Sequence, residues 1–155
     1  MPLCLHITPV ARGRCCVTLA FMAHNMTATA PILQWAQNVP PVEVRTGEQL
    51  DQLLDQLRPD FPISVVLHAH GCKAHVLLGL PESFVYLDEL GPTRYWITIG
   101  DSQADGVVSF HMLGQHHTEF QRRHLIPLAT ARRALREFFD TGRRPGSVQW
   151  EEGRY

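Results

Sequence analysis

Apolar positions along the chain change their period twice, and each change marks an element. Leu50, Leu53, Leu54 and Leu57 recur at the three-and-four spacing of one helical face. Thr46 supplies a capping hydroxyl before them, Gln49 takes the capping-box position, and Pro59 stops the run. Near the other end Leu128, Ala131, Leu135 and Phe138 repeat that spacing, with Phe139 beside them. Arg132, Arg133 and Arg136 fall on the opposite, solvated side. Gly142 suits the left-handed stop of a helix, and Pro145 cannot continue one. Other apolar stretches are short and bounded by turn residues. Ile32–Ala36 ends at Pro40-Pro41, while Ile63–His68 and His75–Gly79 flank His70-Gly71-Cys72-Lys73 and read as a hairpin. Phe84–Leu87, Tyr95–Ile99 and Val107–Leu113 are further strands, separated by Gly91-Pro92 and Gly100-Asp101, and Val148–Trp150 closes the series. The order implies an α+β fold: an antiparallel meander sheet with two main helices, the second followed by a short C-terminal strand.

A chain of 155 residues buries one core without staples. Residues 26–155 read as one domain and residues 1–25 as a doubtful extension. Arg12 and Arg14 precede the apolar run 15–23, and Ala28-Thr29-Ala30 follows, which allows a secretory leader. The leader signal is weak, because the run is short and is followed by His24 and Asn25; a start at Met22 or Met26, or an ordinary edge strand over 16–22, are the other readings. Cys4, Cys15, Cys16 and Cys72 form no disulfide framework, which points to a reduced, cytoplasmic setting. No apolar run is long enough to cross a membrane.

Charge refines this picture. The formal net charge of −1 lacks the basic excess of a general nucleic-acid binder. From Glu43 to Glu119 eleven acids face four bases, a balance of −7, and after Phe120 eight arginines face four acids, a balance of +4. An acidic middle can steer a basic partner, although solvated loops and helix faces produce the same pattern.

Nine histidines invite a metal reading. On a strand His68 and His70 share a side, and His75 with Cys72 lies across the turn, so His68, His70 and His75 are candidate ligands. His111, His116 and His117 can join from a neighbouring strand. Against this stand the single cysteine and the missing second ligand pair, so solvated histidines remain the plainer reading. Ser64, Ser83, Ser102 and Ser109 lack the strand–elbow–helix setting of a nucleophile, and Gly100-Asp101-Ser102 lacks the spaced glycines and lysine of a phosphate loop. Asp88-Glu89 before Gly91-Pro92 reads as an exposed turn. Tyr86, Tyr95, Trp96 and Trp150 are expected mainly in the core, with an interface anchor as the other role for an exposed member.

Three stretches carry a family likeness: HVLLGL ending near Gly79, FVYLDELG followed by YWITIG at Gly100, and Ile126-Pro127 leading into REFFDTGRRPGSVQW. From about Arg45 to Trp150 the chain resembles the first-numbered Imm family of bacterial immunity proteins, which protect cells from polymorphic toxins. The resemblance implies a stoichiometric binder of a cognate toxin domain, with no catalytic residues, no cofactor, and no direct nucleic-acid or membrane partner. Toxins paired with the family are often zinc-dependent nucleic-acid or nucleotide deaminases, whose basic cleft an acidic surface can occlude. Asp88, Glu89, Asp101 and Asp105, on turns of the acidic middle, are the expected toxin contacts, with Tyr95 and Trp96 as aromatic anchors. A small metal-dependent enzyme built on the histidine hairpin, or a regulatory interaction domain without a toxin, are the alternatives.

Overall fold

The computed structural model describes residues 29–88 and 94–154; the expectations for the N-terminal extension, Glu89 and Gly91-Pro92 lie outside them. In chain order the elements are β1 (Ile32–Gln34), β2 (Val42–Glu43), α1 (Gly47–Gln56), β3 (Ile63–Ala69), β4 (Cys72–Leu78), β5 (Glu82–Ser83), β6 (Val85–Asp88), β7 (Arg94–Ile99), β8 (Val107–Met112), β9 (His116–Gln121), a 3-10 turn (Arg122–His124), β10 (Ile126–Pro127), α2 (Leu128–Thr141) and β11 (Gln149–Arg154). The main sheet runs β11-β7-β6-β4-β3-β1-β2 with every neighbour antiparallel. This is the α+β meander with two helices and a returning C-terminal strand that the apolar pattern implies.

Capping chemistry sets the first helix. Thr46 is extended (φ −134°, ψ 156°) and its hydroxyl accepts from the Gln49 N–H at 3.1 Å. Gln49 reaches back to accept from the Arg45 N–H at 2.8 Å, one residue short of the usual capping-box donor. Helix α2 ends as its sequence implies: Gly142 is left-handed (φ 66°) and its N–H bonds the Phe138 carbonyl at 2.8 Å. Leu50 and Leu54 of α1, with Ala131, Ala134, Leu135 and Phe138 of α2, bury one sheet face together with Val65, Leu67, Val76, Val85 and Leu87. Each fully buried leucine here contributes roughly 1.5–3 kcal/mol.

Two expectations need correction. The β3–β4 hairpin has a turn of only two residues: Ala69 pairs with Cys72, and His70 (φ 53°) and Gly71 (φ 76°) take left-handed conformations between them. Arg132 and Arg136 are not merely solvated. Arg132 pairs with Asp55 at 2.6 Å, and Arg136 with Glu48 at 2.7 Å and Asp51 at 2.8 Å. Part of the acidic middle is therefore neutralised within the fold, where α2 crosses α1.

The other sheet face has a cover of its own. β8 joins β3 in parallel through Ile63–His111 and Ser64–Met112, and β8 and β9 form an antiparallel ribbon around a left-handed Leu113-Gly114 turn. Phe110 and Phe120 of that ribbon meet Phe84 at 5.1 and 4.8 Å between ring centroids, and Leu77, Val108 and Leu125 complete a second core. The ribbon thus lies over part of the face opposite the helices. β9 was not expected from sequence.

Candidate functional site

Alternation along β6 and β7 decides what the ribbon-side face presents. Tyr86 pairs with Ile97 and Leu87 with Trp96, so Tyr86, Asp88, Tyr95 and Ile97 share that face while Leu87 and Trp96 point to the helices. Tyr95 stacks on Tyr86 at 4.9 Å, and Phe120 stacks beyond Tyr86 at 6.0 Å. Across the next strand pair, Gly153 of β11 faces Tyr95. A Cβ on Gly153 would fall within the Tyr95 ring, so a residue with no side chain is what allows the phenol to lie across the strand.

Tyr95 and Ile97 form the floor of a cleft of about 240 Å³ between the ribbon and the β7–β11 edge. Glu119, Phe120 and Gln121 of β9 make one wall, and Arg123, Glu151 and Gly153 line the other side. Arg123 spans the gap to Glu151 in a 2.7 Å ion pair, with both side chains about one-third exposed (34%). Below the 300–1,000 Å³ typical of small-molecule pockets, and open to solvent at its polar rim, the cleft suits a segment of another protein better than a substrate.

Its walls are fixed by a short set of bonds at the 3-10 turn. The Gly100 N–H donates to the Arg123 carbonyl at 2.8 Å, and Gly100 passes so close to the Leu125 carbonyl that no side chain fits there. Thr98 donates its hydroxyl proton to the His124 carbonyl at 3.0 Å, and the His124 Nδ1–H donates to the Thr98 carbonyl at 3.1 Å. Burial lowers the His124 imidazole below its ordinary pKa, against the opposing pull of that carbonyl. Gly100, which ends the YWITIG stretch, is therefore a packing residue that anchors β7 to the chain entering α2.

The expected contact residues do not form one patch. Tyr95 lies in the cleft, and Asp88 ends β6 beside it on the same face. Asp101 and Asp105 lie in the loop after the far end of β7, roughly 20 Å along the strand from Asp88 at ~3.3 Å per residue. Asp101 caps its own loop, accepting from the Gln103 N–H at 2.9 Å, and both acids are exposed. Trp96 packs against the helix-side core with the Arg144 guanidinium 3.6 Å above its ring, so it faces away from Tyr95.

The histidine hairpin separates in the same way. His70 sits in the turn and its Nε2 reaches the Phe139 carbonyl at the end of α2, at 2.8 Å. His75 is buried on the ribbon side, 3.3 Å from the Ser64 hydroxyl and edge-on to Tyr86 at 5.2 Å. His68 stands opposite Lys73 on that face. Among the described residues no group of three or more His, Cys, Asp or Glu side chains is arranged to hold a metal. The Ser64–His75 pair borders a cavity of only about 10 Å³ walled by aromatic rings, too small to admit a substrate. Glu119, Gln121, Arg123 and Glu151 escaped the sequence reading because they converge only once the ribbon folds back.

Residues 40–152 match the family model for immunity protein Imm1. The matched span begins just before β2 and runs into β11, so it covers both helices and every strand that builds the cleft. No curated protein matches the chain.

Proposed function

The chain belongs to the Imm1 family of immunity proteins, and from that premise we propose that it neutralises a cognate polymorphic toxin by stoichiometric binding in the cytoplasm. The observation that carries this reading is the extent of the family match, which takes in both helices, the strands from β2 to β10 and the first four residues of β11. Residues 26–155 make up the immunity domain on this reading. Its activity is occlusion and requires neither cofactor nor turnover. The toxin is proposed to be a nucleic-acid or nucleotide deaminase, whose zinc-activated water sits in a cleft that must stay open to substrate.

Asp88 and Tyr95 at one end of β6–β7, and Asp101 and Asp105 at the other, are proposed to flank the docked toxin, with Glu89, outside the described residues, as a further contact. Support comes from their charge: the three described acids stand outside the ion pairs that consume Glu48, Asp51, Asp55 and Glu82. The aromatic role falls to Tyr95, since Trp96 is committed to the helix side.

Co-expression with the C-terminal domain of the toxin encoded beside this gene tests the reading. Growth should be rescued, and the two proteins should co-purify at fixed stoichiometry. Continued killing by that domain in the presence of folded, abundant immunity protein would remove the assignment.

A further inference from the structure

The β8–β9 ribbon has an edge that the rest of the described fold leaves unused. β9 pairs with β8 and with no other strand among the described residues. The Arg122 N–H donates to the Gly106 carbonyl at 3.0 Å, which makes that a hydrogen-bonded pair of the antiparallel ladder. Such pairs alternate with non-bonded ones. With Val107 opposite Gln121, Ser109 opposite Glu119 and His111 opposite His117, the backbone N–H and C=O groups of His117, Glu119 and Gln121 point away from β8. The contact between the Ser109 hydroxyl and the Glu119 carboxylate at 3.1 Å fits this phase, because side chains approach most closely across non-bonded pairs.

That edge opens onto the cleft, whose wall includes Glu119 and Gln121 and whose floor includes Tyr95. Exposed edges are normally blunted by bulges, prolines or covering elements. Here the edge carries neither lysine nor proline: its sequence is His-His-Thr-Glu-Phe-Gln.

We propose that the edge of β9 receives an extended segment of the toxin as an added strand, completing the ladder across the mouth of the cleft. This rests on the immunity reading and names how the partner is held. The alternation of β9 sets the chemistry of the guest. Phe120 and Thr118 face the sheet, so guest side chains of that phase are apolar and settle toward Tyr95. Glu119 lies on the other side beside Ser109, with no cation paired to it among the described residues, so the guest residue opposite is basic. Main-chain bonds supply the grip and the alternate side chains supply selection among toxins.

Gln121 offers a narrow test. Its backbone angles, φ −67° and ψ 138°, match those of proline, and its N–H lies on the unused side of the ladder. Gln121→Pro therefore removes one edge donor without removing a backbone hydrogen bond of the β8–β9 ladder, and Gln121→Ala controls for the lost side chain, whose Oε1 accepts from the Arg123 Nε–H. Binding to the purified toxin domain is measured for wild type and both variants, with a thermal melt of each to show an intact fold. The expected result is an affinity about tenfold weaker for Gln121→Pro than for Gln121→Ala, with the Glu119 and Gln121 amides of wild type protected from exchange in the complex only. Equal affinities of the two variants and unprotected amides in the complex would overturn the proposal while leaving the immunity role in place. Amides already protected in the free protein overturn it too: dilution that removes the protection assigns the edge to a second copy, and protection that survives dilution assigns it to the chain's own residues. A wild-type protein that does not bind the toxin at all removes the immunity reading and this proposal together.

Discussion

His75 shows what one position costs when a sheet is covered on both faces. The residue is 9% exposed, and burial, reinforced by the nearby Lys73 and His68 charges, pushes its pKa down to about 4. The unfolded chain takes up a proton near pH 6.5, whereas the folded chain does not until about pH 4. The contribution to stability is therefore complete above pH 6.5 and is lost as pH falls through that window. It amounts to at most on the order of 3 kcal/mol at ~1.4 kcal/mol per unit. The carboxylates of Glu48 and Asp55 are held below their ordinary values by the bonds they accept from Arg136 and Arg132, so their loss begins at more acid pH. Urea midpoints taken between pH 7 and 4.5 should fall steeply for wild type and more gently for His75→Gln, which keeps a hydrogen-bonding partner for Ser64. Parallel slopes for the two proteins would show that the imidazole is not the titrating group. Sequence made His75 a candidate ligand because nothing local shows that a ribbon forty residues downstream will bury it.

Elements differ in how plainly they are written. Helix α2 is legible because its apolar face, Leu128 to Phe138, repeats over about three turns and its stop is a glycine that adopts the conformation such stops require. Leu135→Ala should cost about 2–5 kcal/mol, since Leu135 is fully buried between the helices and the sheet. Arg133→Ala, on the exposed side of the same helix, should stay within about 0.5 kcal/mol of wild type. Denaturant titration of both variants checks the pair, and a comparable loss from each would mean that α2 does not pack by the face its spacing indicates. β9 is illegible for the opposite reason. Four of its six residues are exposed, and only Phe120 is packed in a core, so alternation has too few apolar points to announce a strand. The extra length of β11 is hidden likewise, because Glu151, Glu152 and Gly153 resemble a tail until β7 pairs with them. These two polar strands build the cleft, so the part of the molecule most relevant to binding was the part sequence described least.

On the scale of the whole molecule, charge acts at two levels that the sequence presents as one. Glu82 is taken by Arg122 and the acids of α1 by Arg132 and Arg136, all bases from beyond Glu119, so the balance of −7 overstates what a partner meets. Outside those pairs, among the described residues, stand Asp88 on the face of Tyr95, Glu119 on the cleft wall, Asp60 after α1, and Asp101 and Asp105 on the loop after β7. Charges that sit at the rim of an interface act chiefly on the rate of encounter, and salt screens them over about 10 Å. Reversing Asp88, Glu89, Asp101 and Asp105 to lysine should therefore slow association with the toxin domain by roughly 10- to 100-fold at low ionic strength. The difference should largely vanish as salt is raised. Splitting the set tests geometry as well as charge: Asp88→Lys, on the same face as Tyr95, should also speed dissociation, whereas the Asp101→Lys, Asp105→Lys pair should alter the association rate alone. Stopped-flow mixing across a salt series resolves the two rates. If all four reversals leave both rates unchanged in a folded protein, the toxin approaches a different face, and these acids serve solvation only.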